Sequence, residues 1–425
     1  MKKLIISFGL LLSCSFITGQ TGELCIEECQ EMAQKNYPLI KQYNLIESLK
    51  DFNISNANKG YLPQLSLSAK ASYQSDVTEL PVKIPGIDID GMRKDQYQAV
   101  LELNQTIWDG GNIRAQKEIT RASSEVEKQK LDVDMYAINE RVNQLFFGIL
   151  LLESQLQQNE LLQEELQRNY NNVQAYVTNG IANQADLDAV KVEQLNTIQK
   201  RDEMVATQRA YCQMLRKMIN GNSPITGNML KKPDAATLLK QKEPLEINRP
   251  ELYLYSAQSN RFEAQRKMLA AKNLPKFGLF VQGAYGNPGL NMLKNEFSPY
   301  YVAGVRLSWN FGNLYTRKNE IRQIELNQNS VDVQKETFLF NTDLQVTQSN
   351  NEIDKVVSLM KNDDEIISLR NNIRKSAQAK VANGTLTVTE MLREITAEDV
   401  AKQNKSLHEI QLLMAIYDLK NTTNQ

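Results

Sequence analysis

The chain states one plan twice: a pair of alternating strands, a very long amphipathic helix, a tight turn and a shorter returning helix. Gly60-Tyr61-Leu62-Pro63-Gln64 leads into one alternating run and Asn273-Leu274-Pro275-Lys276 into another, with the two Leu-Pro pairs 212 positions apart. Val177-Thr178-Asn179-Gly180 is answered by Val381-Ala382-Asn383-Gly384, an offset of 204. A period this long lies far beyond the ~20–50 residues of solenoid repeats and marks duplication of a half-molecule.

The order of patterns predicts the organisation. Residues 20–245 form a first repeat, with an opening helix, a β-hairpin at 61–108, a long helical hairpin at 112–219 and an irregular collar at 220–245. Residues 246–425 form a second, with a helix, a β-hairpin at 275–311 and a helical hairpin at 315–420. Residues 1–19 have the form of a secretory signal: Lys2 and Lys3, an apolar core from Leu4 to Leu12, then small and polar residues to Thr18-Gly19. Cys14 admits two readings. Leu11-Leu12-Ser13-Cys14 resembles a bacterial lipobox and makes Cys14 a candidate lipidation site, whereas Phe16 and Ile17 continue the apolar core past it and make it an ordinary signal residue.

No later stretch has the eighteen or so uninterrupted apolar residues that a membrane helix needs, and mean hydropathy is −0.46. A membrane role must therefore rest on strands. Four segments alternate with period two over lengths that cross a bilayer when tilted. Leu65, Leu67, Ala69, Ala71 and Tyr73 oppose Ser66, Ser68, Lys70 and Ser72; Tyr97, Ala99, Leu101, Leu103 and Ile107 oppose Gln98, Glu102, Asn104 and Thr106. Phe277, Leu279, Val281 and Tyr285 face away from Lys276 and Gln282; Tyr301, Ala303, Val305, Leu307, Trp309 and Phe311 face away from Arg306, Ser308 and Asn310. Aromatic residues gather at the strand ends, as at membrane interfaces. The same alternation permits a half-buried sheet in a soluble domain. The long loops at 74–96 and 286–299 favour membrane strands, and four strands cannot close a barrel alone. Open edges in hydrocarbon leave backbone groups unpaired at several kcal/mol each, so the chain must oligomerise; three copies would supply about twelve strands.

After Trp108-Asp109-Gly110-Gly111 the sequence loses glycine and proline and reads as helix to about Val177, roughly 100 Å at ~1.5 Å per residue. Leu131, Met135, Ile138, Val142, Leu145, Ile149, Leu152 and Leu156 alternate by four and three, which is a coiled-coil seam. The second rod runs from Tyr315 to about Ala382. Each ends in an Asn-Gly turn, followed by return helices at about 185–219 and 389–419. Helices at about 26–58 and 246–272 supply the remaining height.

At this point the residues resemble a family, the TolC-type outer-membrane efflux proteins. Leu24-Cys25-Ile26-Glu27-Glu28-Cys29 to Asn36-Tyr37-Pro38 resembles its opening helix, Gln105-Thr106-Ile107-Trp108-Asp109-Gly110-Gly111 its strand exit, and Gly180 to Leu187 and Gly384 to Leu392 its two hairpin tips. The resemblance implies a mixed α and β membrane protein: four transmembrane strands per chain in a trimeric barrel of about twelve strands, continued by a coiled-coil tunnel in the periplasm. It implies an exit channel of a tripartite efflux or type I secretion system. Its partners would be an adaptor docked at tips Asn179-Gly180 and Asn383-Gly384, an inner-membrane pump, and outer-membrane lipid. It also implies that Asp186 restrains a closed entrance and that Glu390 lines the aperture. The chain departs from the family where Arg393 takes the second position of the acidic ring, Leu386 replaces an arginine and Val381 a tyrosine. Arg393 paired with Asp186 or Glu390 is the expected substitute.

Other chemistry is not indicated. Lys and Arg number 49 against 50 Asp and Glu, so no basic field attracts nucleic acid. Cys25, Cys29 and Cys212 read as buried thiols, the single His408 as a packed or solvated helix residue, and Asp363-Asp364-Glu365 as a wet helix face. Neither a nucleophile motif, a phosphate loop nor a cofactor or metal signature is found, which disfavours an enzyme. A periplasmic adaptor would show one helical hairpin where this chain has two; a coiled-coil scaffold would not need the strands.

Overall fold

The computed structural model describes residues 23–77, 92–221, 224–240, 246–292 and 294–424. The signal segment, Cys14, and most of the first long loop with Pro81, Pro85, Gly86 and Gly91 lie outside the described residues. The elements run α1 (Ile26–Asn36), α2 (Lys41–Asn58), β1 (Gln64–Tyr73), β2 (Asp95–Trp108), α3 (Asn112–Tyr136), α4 (Ile138–Thr178), α5 (Gln184–Ile219), α6 (Ala235–Lys240), α7 (Pro250–Lys272), β3 (Lys276–Asn287), β4 (Ser298–Ser308), α8 (Asn313–Ala382) and α9 (Val388–Thr423). They fall into two compact units.

One unit holds residues 38–137, 245–347 and 422–425, and its centre is a four-stranded antiparallel sheet in the order β1-β2-β3-β4. The register places Leu67 beside Leu101 and Ser66 beside Glu102, Gln282 and Val302, so alternation in sequence becomes one apolar and one wet face. The apolar face is uncovered in the single chain: Leu67 is 75% exposed, Val305 72% and Tyr301 78%. β1 and β4 each have a strand on one side only. Below the sheet, α3 packs on α7 and α2, with Tyr43 donating to Asp132 and Lys267 bonded to Glu118 at 3.2 Å.

Asp109 stitches strand to helix. Its Oδ1 accepts the amide of Gly111 at 2.9 Å and its Oδ2 that of Ile113 at 2.6 Å, satisfying the amides of the N-cap and of the second residue of α3. Gly110 has φ +71° and a Cβ there would meet Leu274 at 2.8 Å, so the turn requires glycine on both counts.

The other unit holds residues 1–37, 138–244 and 348–421. Here α4 lies along α5, α1 packs on both, and the second half of α8 packs on α9. At the foot of α1, Leu24 and Leu230 form a parallel bridge, with the Leu24 amide 2.7 Å from the Met229 carbonyl and the Lys231 amide 2.9 Å from the Leu24 carbonyl. The collar segment is thereby tied to the start of the chain.

The structure refines several expectations. The opening helix is two helices, because Pro38 supplies no amide and holds Tyr37 extended at φ −67°, ψ 134°. The first rod lapses at Ala137, whose φ −61° and ψ −15° are close to 3₁₀ values. α8, by contrast, runs 70 residues without a break. The coiled-coil seam of α4 widens where α1 covers it: Asn143, Phe146, Phe147 and Leu150 are buried beside Val142, Leu145 and Ile149. β4 ends at Ser308, so Trp309 and Phe311 are not strand residues; the Asn310 side chain accepts the Gly312 amide at 3.0 Å and turns the chain into α8, and Trp309 Nε1 donates to the Asn273 carbonyl at 3.1 Å. Asp363 is buried, not wet, with its Oδ2 2.9 Å from His408 Nδ1. Cys29 and Cys212 are buried, whereas Cys25 is only half-buried at the start of α1; burial pushes the Cys29 thiol up to about 12.

Replacing Asp109 with Ala should cost about 1–2 kcal/mol through the lost cap. Hydrogen exchange at the Gly111 and Ile113 amides reads it directly: both should lose protection, and unchanged protection would show the cap carries no weight.

Candidate functional site at the hairpin ends

Both helical hairpins turn by the same device. Gly180 (φ +74°) donates to Val177 O at 3.1 Å while Ile181 donates to Tyr176 O at 2.8 Å; Gly384 (φ +68°) donates to Val381 O at 2.9 Å while Thr385 donates to Lys380 O at 2.9 Å. These paired bonds are Schellman motifs, which need a left-handed residue after the helix, and nothing lies within 4 Å of either glycine's Cβ position. The requirement is therefore in φ alone. Asn179 and Asn383, immediately before the glycines, are exposed.

The returning helices begin with reciprocal caps. Asn183 Oδ1 accepts the Asp186 amide at 3.0 Å and Asp186 Oδ2 accepts the Asn183 amide at 3.1 Å. In the second hairpin, Thr387 Oγ1 accepts the Glu390 amide at 3.2 Å, and Glu390 Oε2 accepts the Thr387 amide at 3.1 Å and its hydroxyl at 2.8 Å. Asp186 and Glu390 thus both occupy the third helical position of a capping box. The hydrogen bonds from the Thr387 amide and hydroxyl, with a smaller pull from the charge of Arg393, hold the Glu390 carboxyl below its usual range. Capping and a charged role at an entrance are compatible, because the cap stabilises the ionised form. Arg393 is exposed, and among the described residues it forms no ion pair with Asp186 or Glu390.

What joins the two hairpins is apolar. Leu166, Val173, Leu187, Val190, Ala377, Val381, Val388, Met391, Leu392 and Ile395 form one buried cluster, with Leu386 packed against it. Val381 and Leu386, two of the three departures expected from the resemblance, lie in or against this core. Their burial accounts for side chains without charge at these places.

A polar network sits above the cluster, and sequence reading missed it. Arg374 on α8 reaches Glu165 on α4 at 2.9 Å and also pairs with Glu398 on α9; Gln378 bonds Glu165 at 2.7 Å, Asn371 bonds Glu398 at 3.2 Å and Lys402 pairs with Glu398 at 2.7 Å. The Glu398 side chain is 3% exposed and that of Arg374 14%. Burial works against the charged form of Glu398, yet the hydrogen bonds and charges of Lys402 and Arg374 outweigh it and keep the carboxyl below its usual range. Glu165 behaves likewise, burial being overcome chiefly by the charge of Arg374. Asp399 goes the other way. Burial pushes its carboxyl up to about 6 despite the charges of Lys200 and Lys402 and a hydrogen bond from Gln403 at 2.5 Å. The sequence signal was weak: Arg374 and Glu165 are 209 positions apart, and only the paired tips bring them together.

Among the described residues no group of His, Cys, Asp and Glu could hold a metal ion, and no helix is long and apolar enough to cross a membrane.

Arg374→Ala takes a cation from two carboxylates, leaving buried Glu398 with Lys402 as its remaining countercharge, and should destabilise the hairpin junction by about 1–3 kcal/mol; proteolysis within α8 and α9 should accelerate, while unchanged cleavage rates would contradict a structural role. Asp399 gives a pH test. Its folded value lies above the unfolded 3.8, so its contribution favours folding below about pH 4 and is lost as pH rises through about 6. Asp399→Asn should therefore stabilise the junction at pH 7, by up to about 3 kcal/mol, and flatten the pH 4–6 limb of a thermal-unfolding profile; an unaltered profile would place the titration elsewhere.

Residues 31–220 match the family described as outer membrane efflux protein. No curated protein matches the chain. Among solved structures, CusC superposes with a TM-score of 0.69 at 14% identity, covering 94% of this chain and 91% of its own. The Campylobacter jejuni CmeC outer membrane channel gives 0.62 at 12% identity over 94% and 85%, and the open state of the Neisseria gonorrhoeae MtrE outer membrane channel 0.63 at 12% over 99% and 96%. Residues 31–220 thus resemble the outer membrane efflux protein family, and the chain as a whole has the fold of solved outer-membrane channels.

Proposed function

We propose that the chain is the outer-membrane exit channel of a tripartite efflux or type I secretion system, working as a homotrimer. The observation that carries the proposal is the sheet: four strands with an exposed apolar face, a wet face and an open edge at each side. Such a sheet is stable in lipid only when its edges are paired and its apolar face meets hydrocarbon. Three chains supply about twelve strands, enough for a barrel around an aqueous lumen. The long helices then extend the passage into the periplasm.

The same reading gives roles to the hairpin ends. Asn179, Gly180, Asn383 and Gly384 are the exposed tips against which a periplasmic adaptor would dock, bringing an inner-membrane pump into line. Asp186, Glu390 and Arg393 would stand around the entrance, where rotational symmetry repeats each charge about a narrow opening and makes it a selectivity element. Two structural repeats, 20–245 and 246–425, would alternate around the tunnel, and Cys14 remains the candidate for lipid attachment.

The purified mature protein should require detergent, run as a trimer after cross-linking, and conduct ions in planar bilayers. A monomer recovered in plain buffer would overturn the proposal, and so would a trimer that leaves bilayers electrically silent.

A further inference from the structure

The wet face of the sheet is not neutral. In the observed register, the residues that share it include Lys70 on β1, Glu102 on β2, Lys276 on β3 and Arg306 on β4, three cations against one carboxylate. Arg306 is built into position. Its Nη2 lies 3.2 Å from Glu102 Oε1 and its Nη1 3.3 Å from Asn104 Oδ1, while its guanidinium stands 4.8 Å from the centre of the Phe280 ring. Phe280 and Tyr300 are the aromatic residues of this face, and Gly304 makes room for Phe280: a Cβ there would lie 3.0 Å from the ring. Register explains the arrangement, since Phe280 pairs with Gly304 and Arg306 with Gly278, one rung closer to the helices. Lys276, beside Ser308, is the next residue on that face.

We propose that this face is an anion-selecting lining of the channel lumen and that Arg306 is its specificity-determining residue. The inference rests on the channel reading above. Glu102, Asn104 and Phe280 hold the fork flat on the sheet, so the charge stays at a fixed height along the passage. Lys70 and Lys276 leave the face with a net positive balance once Arg306 and Glu102 are paired. In a closed barrel each charge recurs around the lumen with low-dielectric walls behind it, which concentrates counter-ions and favours anionic solutes. Loss of Arg306 removes one charge per chain and leaves Glu102 uncompensated at the same level.

The test is the potassium-to-chloride permeability ratio, read from reversal potentials of the intact protein in planar bilayers under a KCl gradient. Arg306→Gln should raise the ratio by roughly twofold or more, Glu102→Gln should lower it, and Arg306→Lys, which keeps the charge, should leave it near the parent value. Lys276→Gln provides a second variant with the direction of Arg306→Gln should that protein fail to assemble. Conducting pores whose ratio is the same in the parent, Arg306→Gln and Lys276→Gln overturn the lining proposal while the channel stands. Absence of conductance from the parent protein overturns both.

Discussion

Every backbone amide and carbonyl placed in hydrocarbon needs a partner, and this requirement organises the molecule. Within one chain β2 and β3 are paired on both sides, but β1 and β4 are each left with an open edge. The apolar face is likewise uncovered, with Leu65, Leu67, Leu279, Val281 and Val305 all exposed. A soluble protein would bury such a face under helices. Here the helices instead continue from the strand ends, and in the channel proposed above lipid would cover that face and sister chains would pair the edges.

Much of the fold was legible because its determinants are local. Period-two alternation fixes the faces of β1 to β4, and Asn-Gly before a polar cap fixes both hairpin turns, since few other residues tolerate the left-handed backbone. Where the reading failed, the deciding interaction was a neighbour in space. Trp309 and Phe311 continue the alternation of β4 in sequence, but the Asn310 side chain captures the Gly312 amide and ends the strand. Asp363 sits in an acidic run that looks wet, yet His408 from another helix covers it. Phe146 and Phe147 break the strict seam of α4 because α1 and Tyr417 give them something to pack against.

The candidate site at the hairpin ends was legible in a different measure. Asp186 and Glu390 stand out in the sequence only through the family resemblance, and their capping bonds give each a local structural reason to be acidic. The Arg374 network had no such signature. Arg374, Glu165 and Glu398 are unremarkable residues on three helices, and their significance lies in a low exposure and in partners 24 and 209 positions away.

These two groups divide the hairpin ends into a stiff part and an adjustable part. Separating the hairpins would expose the cluster around Val381, Met391 and Ile395, at about 1.5–3 kcal/mol for each large side chain returned to water, and would part Glu165 from Arg374, whose charge helps keep it ionised. The intrachain junction is accordingly costly to open. Glu390 and Arg393, by contrast, are exposed, bonded at most to their own helix terminus, and free to respond to neighbours at little cost. With Val381 in the cluster and Leu386 packed against it, cohesion at the tips rests on apolar packing within the chain. The charges that remain at the surface are left to set how neighbouring surfaces meet.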